Sequence, residues 1–448
     1  MIQLYPHQEQ SLKETEKFNR VAYYLDMGLG KTFVGSEKMK QLDEHINLVV
    51  CQKSLIQTWI DHFKTYYKVW VYNLTDKNEL QSFKHHVENK PPFPLVGIIN
   101  YDLIFRRKFF LQLENYTLML DESSMIQNEK AKRSKFILQM KPDNVILLSG
   151  TPTSGKYENL WSQINLLGWN ISNDLYNKQY VNWKKIEVGG FPMKIVDKDE
   201  PYKNIDRLKQ KLRDHGAIFM KTDEVVDLPE QTFITINIPT TKEYRKFQRT
   251  SIITIDTKNL TEFKDDNDFY GKSNTSNNVE LIGDTTLTKR LYSRMLCGQY
   301  NKDKLKAFED LASSTQDRLI VFYNFNEELA ALRKIAQKLD RPISEVNGQV
   351  KDLTNYENEN NSITLIQYQA GAMGLNLQKS NKIIYFTLTE KSELFEQSKK
   401  RIHRIGQNNN CLYYLLICKG SIEEDILQTL EMRKDYTDEL FKEYIQKK

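Results

Sequence analysis

The chain has 448 residues, and its 64 Lys and Arg residues against 59 Asp and Glu residues give a net charge of +5. This length suits two or three domains with substantial cores, and the composition is that of an ordinary globular protein. The nearly balanced charge neither demands nor excludes nucleic acid, because a basic groove can lie within such a total.

The cysteines, histidines and apolar runs predict neither a metal site nor a membrane segment. There is no C-x-x-C pair and no Cys/His cluster with zinc spacing, so we expect free buried thiols at Cys51, Cys297, Cys411 and Cys418. The adjacent residues His85 and His86 point apart on a helix or loop. The N-terminus is too polar for a signal peptide, and no apolar run approaches the roughly 18 residues of a membrane helix, which predicts a cytoplasmic protein.

A helix is predicted for residues 9–18, directly after the sequence LYPHQ. One interpretation is that Gln8 reads an adenine edge through its two-faced amide while the aromatic neighbour stacks on the base. The other is a capped entry to the first helix, and this stretch alone favours neither.

A phosphate-binding loop is predicted at residues 26–32, which read DMGLGKT between an apolar run and a helical segment. In such a strand, loop and helix, backbone N–H groups and the helix dipole face an anion, and Gly28 and Gly30 allow its close approach. Lys31 is placed to reach the β- and γ-phosphates, and Thr32 to hold Mg²⁺. The strict G-x-x-x-x-G-K-[ST] pattern fails at its first position, so a glycine-rich turn that binds nothing is the alternative.

Four further apolar runs, each leading into a helical or turn segment, predict strands at residues 47–51, 96–100, 118–122 and 145–151. Repeated units of this kind imply a doubly wound parallel sheet with ligands at the carboxyl ends of its strands. Asp121 is placed to hold Mg²⁺ through water, and Glu122 to orient or deprotonate the water that attacks the γ-phosphate. A solvated turn is the alternative, and the upstream phosphate loop favours function. Ser149 and Thr151 offer hydroxyls at the next strand end.

Between residues 169 and 221 the strand pattern fades, and we expect an insertion of helices and loops with a hairpin tip at Gly189-Gly190. The segment mixes aromatic and basic residues, among them Tyr176, Tyr180, Trp183, Lys184 and Lys185. Such a mixture suits a nucleic-acid surface, but the packing of a small subdomain is the favoured explanation.

A second α/β series begins after a boundary near residues 225–232, where a proline precedes an alternating apolar run. Later strands are predicted at residues 318–323, 362–366 and 382–386, with a helix at 327–339. Residues 256–288 contain few apolar side chains and predict a mobile loop. The loop at residues 371–377 lets backbone approach a ligand but lacks a second GKT, so this domain is not expected to bind nucleotide alone.

The stretch at residues 397–407 completes the second series. Arg401 and Arg404 are three apart and are therefore predicted on one helical face. If the second domain closes on the first, that face presents guanidinium groups to the triphosphate, and an arginine finger is worth roughly 10³–10⁵ in rate. A solvated basic helix end is the alternative.

Together these motifs closely resemble the Swi/Snf-type ATPases, the branch of superfamily-two helicases that translocates on double-stranded DNA. The resemblance covers residues 5 to 434 in the family's order. The matching stretches are 26–32 (family D-E-M-G-L-G-K-T, one acid lost), 49–63 (P-x-S-L-x-x-x-W, with Gln52-Lys53 replacing Pro-Leu), 100–102 (T-Y-D), 149–167 (S-G-T-P-x-x-N-x-x-x-L-W-S, with Gly155-Lys156 where Asn is usual), 371–377 (G-G-x-G-L-N-L), 401–407 (R-x-H-R-I-G-Q) and 420–424 (G-T-I-E-E).

The resemblance implies two RecA-like parallel-sheet domains, at residues 1–227 and 228–448, and a C-terminal helix at about 422–446 that braces them. It implies an ATP- and Mg²⁺-dependent enzyme that holds DNA, expected to be double-stranded, mainly through phosphate contacts without sequence specificity. Gly374 and Gln397 join the ATP-contacting residues by this resemblance. The candidate DNA contacts are Ser54, Asn100, Tyr101 and Gly371.

One departure is Ser124, which stands where the family usually has a His after its acidic pair. The absence of this His bears on how tightly ATP hydrolysis is coupled to DNA contact. Both acids, Asp121 and Glu122, remain. No reader module fits at either end, which suggests a minimal bacterial or phage motor. Two alternatives stay open: a helicase that separates DNA or RNA strands, and a nucleotide-gated DNA clamp that barely hydrolyses ATP.

Overall fold

The computed structural model describes residues 2–89, 91–188, 191–256, 278–371 and 374–441. The chain divides into two compact units, one formed by Met1–Asp227 with Arg433–Lys448 and the other by Leu228–Met432. Within the described ranges, no helix has the length and apolarity needed to cross a bilayer.

A parallel sheet of seven strands forms the centre of the first unit. The strands of this unit are β1 (Arg20–Leu25), β2 (Ile46–Cys51), β3 (Trp70–Asn73), β4 (Leu95–Asn100), β5 (Tyr116–Asp121), β6 (Asn144–Leu148), β7 (Trp183–Val188), β8 (Phe191–Val196) and β9 (Ala217–Met220). The sheet order is β3-β4-β2-β5-β6-β1-β9, and every neighbouring pair is parallel.

Helices cover both faces of this sheet, which explains why its strands read as continuous apolar runs. The helices are α1 (Pro6–Glu14), α2 (Lys31–Leu42), α3 (Ile56–Tyr66), α4 (Lys77–Asn89), α5 (Tyr101–Ile104), α6 (Lys132–Gln139), α7 (Trp161–Leu166), α8 (Asn173–Tyr180) and α9 (Ile205–Asp214). Alternate residues of β1 enter different cores: Tyr24 packs in one cluster and Tyr23 in the other. Successive side chains of a strand point to opposite faces, so both faces of this sheet are buried.

The interval at residues 169–221 contains the expected helices, α8 and α9, and also three strands. β7 and β8 pair as an antiparallel hairpin, while β9 joins the edge of the main sheet beside β1. The glycines expected at the hairpin tip, Gly189 and Gly190, lie outside the described residues. The sequence pattern indicated an insertion here, but it did not indicate that the last part of the insertion forms a strand of the main sheet. That strand, β9, spans only four residues and is too short to give a clear pattern.

A second sheet of seven strands forms the centre of the other unit. Its strands are β10 (Gln231–Pro239), β13 (Leu319–Tyr323), β14 (Ile343–Val346), β15 (Lys351–Asp352), β16 (Ile363–Gln367), β17 (Lys382–Tyr385) and β18 (Cys411–Lys419), with β11 (Ile252–Asp256) and β12 (Asn278–Ile282) forming a separate antiparallel hairpin. The sheet order is β10-β18-β17-β13-β16-β14-β15, parallel except for β14 with β15. The predicted fold class of two parallel-sheet domains is confirmed.

The helices of the second unit cover its sheet in the same way. They are α10 (Lys242–Thr250), α11 (Thr286–Cys297), α12 (Lys302–Ser313), α13 (Asn326–Lys338), α14 (Thr354–Asn358), α15 (Tyr368–Gly371) and α16 (Ser392–Lys399), followed by α17 (Ile422–Phe441). The predicted mobile loop at residues 256–288 takes in β12 and the start of α11, and its residues 257–277 lie outside the described part of the chain.

The C-terminal helix α17 begins in the second unit, and its residues from Arg433 onward belong to the first. In the first unit, the backbone carbonyl of Tyr436 accepts a hydrogen bond of 2.7 Å from the Tyr157 hydroxyl. Glu439 pairs with the buried ammonium group of Lys209. The predicted helix at residues 422–446 is therefore described as far as residue 441.

Gly155 packs directly against the α17 residue Arg433, because a Cβ on Gly155 would lie 2.4 Å from both Cβ and the carbonyl oxygen of Arg433. Gly155 also has φ +73°. We therefore expect Gly155→Ala to lower the free energy of unfolding by about 2–4 kcal/mol. Gly420 supplies the control, since it has φ +70° with nothing within 4 Å.

Gly420→Ala should cost only the backbone strain, about 1 kcal/mol. Chemical denaturation of both variants measures the difference, and hydrogen exchange at residues 433–441 should quicken in Gly155→Ala alone. Equal losses of stability in the two variants would contradict the close approach described for Gly155.

Candidate nucleotide site

The predicted phosphate loop lies between β1 and α2, at the carboxyl end of a central strand. Gly28 has φ +92° and Gly30 has φ +74°, a left-handed conformation that glycine adopts without strain. Gly30 is the N-cap of α2, and Lys31 and Thr32 are its first residues. The loop thus leads into a helix N-terminus, where unpaired N–H groups and the helix dipole favour an anion.

Gln8 is held against this loop. Its Nε2 donates to the carbonyl oxygens of Leu29 (3.1 Å) and Gly30 (3.4 Å), and its Oε1 accepts from the Tyr5 backbone (2.9 Å). A Cβ on Gly30 would lie 2.1 Å from that Nε2, so the contact requires glycine. The exposed Tyr5 ring stacks on His7 with centroids 5.8 Å apart. Both ends of the Gln8 amide therefore have protein partners.

Lys31 and Asp26 are tied into the loop by local hydrogen bonds. Lys31 Nζ donates to the carbonyl oxygens of Leu25 (2.9 Å) and Asp26 (3.3 Å). The Asp26 carboxylate accepts from the backbone N–H of Met27 (2.9 Å) and from the hydroxyl of Thr222 (3.0 Å). The loop is thus fixed to the segment after β9, which is nearly 200 positions later in the chain.

Asp121 is the last residue of β5, two strands from β1 in the sheet. Its Oδ2 accepts a hydrogen bond of 2.8 Å from Trp59 Nε1. Burial raises the pKa of Asp121, while the Trp59 hydrogen bond and the charge of Lys31 act in the opposite direction. The carboxyl group of Asp121 and the ammonium group of Lys31 therefore interact electrostatically.

Glu122 has φ +54°, an uncommon backbone conformation for a residue with a side chain. Its Oε2 accepts a hydrogen bond of 3.3 Å from the Ser149 hydroxyl, which follows the neighbouring strand β6. A Cβ on Gly150 would lie 3.4 Å from Lys31 Nζ. The ends of β1, β5 and β6 therefore bring Lys31, Glu122 and Ser149 together, as their positions after parallel strands predict.

The candidate DNA contacts of the first unit have unequal access to solvent. Ser54 is exposed, whereas Asn100 is 8% exposed and Tyr101 only 1%. The Tyr101 hydroxyl donates to the carbonyl oxygens of Asp121 (2.9 Å) and Glu122 (3.3 Å). In this conformation Tyr101 supports the backbone of the acidic pair and has almost no surface to offer a DNA strand.

Two residues of this network were missed by the sequence reasoning. No role was predicted for Trp59, although it is the tryptophan of the P-x-S-L-x-x-x-W pattern matched at residues 49–63. The buried Gln163 accepts from the Ser123 hydroxyl (2.7 Å) and donates to the carbonyl oxygen of Pro152 (2.7 Å). It therefore connects the turn after Glu122 to the loop after Ser149. No sequence pattern distinguishes Gln163 from the other polar residues of α7, Ser162 and Asn165.

In the second unit the glycine loop follows β16 and α15. Gly371 is buried, and a Cβ on it would lie 3.0 Å from the Phe322 ring, so it packs in the core and offers no surface to DNA. Gly374 has φ +67°. Gln397 is 3% exposed, and its Nε2 donates to Glu393 at 3.4 Å. Residues 372–373 lie outside the described part of this loop.

The prediction that Arg401 and Arg404 share a helical face is wrong, because α16 ends at Lys399 and residues 400–406 form turns. The Arg401 carbonyl oxygen accepts from the Leu377 backbone (3.1 Å) instead of continuing a helix. Arg401 is 6% exposed, whereas Arg404 is half-buried and donates to Asn376 Oδ1. Burial lowers the pKa of Arg404. Both arginines thus border the glycine loop.

Comparison with known proteins identifies the family. A model described as "SNF2-related domain" matches residues 24–298, and one described as "Helicase conserved C-terminal domain" matches residues 303–406. The chain belongs to the SNF2-related family. The resemblance to Swi/Snf-type ATPases drawn from the motifs is thereby confirmed.

Several curated relatives align over nearly the whole chain. They include a mouse SWI/SNF-related regulator of chromatin (24% identity, 91% of this chain, 40% of the relative), the putative ATP-dependent helicase/translocase YwqA of Bacillus subtilis (24%, 93% and 46%) and an uncharacterized ATP-dependent helicase of Mycoplasma genitalium (23%, 92% and 39%). The chain thus spans less than half the length of these curated relatives. The Sulfolobus solfataricus SWI2/SNF2 ATPase core, solved in complex with dsDNA, aligns with 19% identity and a TM-score of 0.43, covering 98% of this chain and 92% of that one.

The four cysteines of this SNF2-related chain are free and buried. The thiols of Cys297 and Cys418 lie within 4.8 Å of each other and of a Glu423 oxygen. Both Glu423 oxygens accept hydrogen bonds from the buried Lys304 ammonium group, at 2.6 and 2.7 Å. Because Lys304 already neutralises this carboxylate, we interpret the cluster as structural, connecting α12 to the start of α17.

Glu328 is a buried carboxyl group in the second unit. Its Oε2 accepts from the backbone N–H groups of Asn324 (2.8 Å) and Phe325 (3.1 Å) and from the Thr387 hydroxyl (2.9 Å). Burial raises the pKa of Glu328 from 4.5 to about 7. Between these values the folded chain keeps a proton that the unfolded chain releases, so this group makes stability fall as pH rises.

We expect Glu328 to lower the free energy of unfolding of the second unit by about 3 kcal/mol between pH 4.5 and pH 7. Glu328→Gln preserves the acceptor oxygen and cannot ionise, so this part of the pH dependence should disappear. Urea unfolding of both proteins at pH 5 and pH 7.5 measures the effect. The same pH dependence in the two proteins would contradict the raised pKa.

Proposed function

We propose that this chain is an ATP- and Mg²⁺-dependent translocase that couples ATP hydrolysis to movement on double-stranded DNA. The observation that supports it most is the convergence of Lys31, Glu122 and Ser149 at neighbouring strand ends, with Asp121 beside them. A phosphate-binding lysine and an acidic pair so arranged suit phosphoryl transfer to water. Family membership supports the same chemistry, and the DNA-directed activity stays part of the proposal.

The phosphate loop is proposed to hold the triphosphate. Gly28 and Gly30 give the phosphate oxygens access to backbone N–H groups, and Lys31 contacts the β- and γ-phosphates. In the present conformation Lys31 Nζ is bonded to the carbonyl oxygens of Leu25 and Asp26, and it would exchange those partners for phosphate oxygens. Gln8 recognises the adenine edge, which requires its amide to release the Leu29 and Gly30 carbonyl oxygens.

Mg²⁺ fits the oxygen donors available here, a strand-end carboxylate from Asp121 and a hydroxyl from Thr32 at the start of α2. Bound there, the ion would supply charge neutralisation for the β- and γ-phosphate oxygens. Trp59 is a positioning residue, because its indole N–H donates to Oδ2 of Asp121 and so fixes the orientation of this carboxylate.

Glu122 is proposed to orient the attacking water and to accept its proton. The Ser149 hydroxyl donates to Oε2 of this carboxylate and so fixes its orientation. The positive φ of Glu122 is backbone strain located at a reacting group, which is where such strain concentrates in enzymes. Gln163 joins the turns that carry both side chains and so keeps their spacing.

In the second unit, Arg401 and Arg404 are proposed to contact the charge of the triphosphate during hydrolysis, with Gly374 and Gln397 as further nucleotide contacts. Ser54 is the exposed candidate for a DNA phosphate contact, and Asn100 has a small exposed fraction. A domain boundary between residues 227 and 228 and a cytoplasmic location, where ATP and DNA are both available, belong to the same proposal, with residues 433–448 in the first compact unit.

Triplex displacement tests translocation. The purified chain with ATP and Mg²⁺ should displace a third strand from duplex DNA while failing to separate a forked duplex. Separation of the forked strands would instead support the helicase alternative. Duplex binding with no ATP turnover would support the nucleotide-gated clamp.

A further inference from the structure

The hairpin formed by β7 and β8 is an exposed two-stranded ribbon within the 169–221 interval. Residues directly opposite each other on antiparallel strands lie on the same face. One face carries the pairs Trp183 with Val196, Lys185 with Lys194 and Glu187 with Pro192. The opposite face carries Lys184 with Ile195 and Ile186 with Met193. The hairpin therefore has two faces of different chemistry.

Lys185 and Lys194 are directly opposite and both exposed. Like charges in this arrangement repel and destabilise a hairpin. Across the described ranges, neither ammonium group forms an ion pair with a carboxylate, whereas Lys184 on the other face pairs with Asp197 and Asp199 at 2.8 Å each. The hairpin thus neutralises the lysine on one face, while the other face has two lysines against one carboxylate, Glu187, and keeps a net positive charge.

We propose that the face carrying Trp183, Lys185 and Lys194 binds the phosphate backbone of DNA, as an accessory contact outside the motifs of the family. A polyanion turns the repulsion between the two ammonium groups into a shared attraction. The Trp183 ring, 42% exposed on the same face, offers apolar surface to a sugar or base beside those phosphates. This inference rests on the proposed function, since it assumes that the chain binds DNA.

A different role for such lysines is to keep an exposed strand edge from pairing with other chains. The salt dependence of DNA binding separates the two roles. Each lost lysine–phosphate contact should flatten the slope of log K against log salt by about 0.9 on duplex DNA. We therefore expect Lys185→Gln/Lys194→Gln to flatten the slope by about 2 and to weaken binding about 10-fold or more near 0.1 M salt.

The experiment measures fluorescence anisotropy of a labelled random-sequence duplex with the full chain at several salt concentrations. Lys184→Gln is the matched control, because this lysine lies on the opposite face and is held by two carboxylates; its slope should equal that of the unmodified chain. Lys185→Arg/Lys194→Arg should restore both slope and affinity, because each position keeps its charge. Circular dichroism and the unfolding temperature confirm that each variant is folded.

An unchanged slope in Lys185→Gln/Lys194→Gln, or an equal change in Lys184→Gln, would overturn the hairpin assignment while leaving the translocase proposal intact. If the unmodified chain itself does not bind duplex DNA, the proposed function fails first, and the hairpin inference fails with it. These two failures are thus distinguished by the unmodified protein alone.

Discussion

Glu122→Gln is expected to abolish ATP turnover, lowering kcat by about 10²–10⁴-fold, while ATP still binds. Gln has nearly the same shape as Glu and can still accept the hydrogen bond from Ser149, but it cannot take a proton from water. The strained backbone at this position also remains, because Gln carries a side chain as Glu does. Steady-state hydrolysis and the binding of a fluorescent ATP analogue measure the two properties separately.

Ser149→Ala is the companion variant, since it removes the hydroxyl that holds Oε2 and leaves the carboxylate. We expect a smaller loss of kcat, about 10-fold, because Glu122 can still accept the proton but is less well oriented. Normal turnover in Glu122→Gln would remove the role assigned to this carboxylate. Equal losses of kcat in the two variants would indicate that Glu122 and Ser149 are both required for the role assigned to Glu122.

Arg404→Ala should lower DNA-stimulated ATP hydrolysis by about 10³-fold or more while DNA binding persists, if its guanidinium group stabilises the charge of the transferring phosphate. Asn376→Ala is the matched control, because it deletes the observed partner of Arg404 and keeps the guanidinium group. We expect that control to retain stimulation within about 10-fold.

The measurement compares hydrolysis rates with saturating duplex DNA and anisotropy of the same duplex. An unchanged rate in Arg404→Ala would show that this arginine does not act on the phosphate. Equal, large losses in Arg404→Ala and Asn376→Ala would assign to Arg404 a structural role in the glycine loop.

The central strands were predictable because strands covered on both faces are apolar at nearly every position. The runs that became β2 and β5 fall within one or two residues of the observed strands, and the acidic pair lies at the end of β5, with Asp121 its last residue. The position of chemistry at strand ends follows from the same rule, since parallel strands end at a common edge.

Tertiary contacts account for what the sequence pattern did not predict. Residues 401–407 have helical spacing, yet α16 ends at Lys399, because the Arg401 carbonyl bonds to Leu377 and Gly406 adopts φ +98°. Tyr101 matches a family motif and was therefore a candidate DNA contact, but its hydroxyl donates to the backbone carbonyl oxygen of Asp121 inside the domain. The partners that decide these cases are distant in sequence, so local spacing carries no signal for them.

ATP hydrolysis by the purified chain, measured with no nucleic acid, with single-stranded DNA, with duplex DNA and with RNA at one salt concentration, tests the central proposal most directly. The proposal predicts that duplex DNA stimulates hydrolysis above every other condition, and that Glu122→Gln abolishes this stimulated rate. Stronger stimulation by single strands or RNA would contradict translocation on duplex DNA. No hydrolysis under any condition would contradict the assignment of Lys31, Asp121 and Glu122 to a working ATPase site.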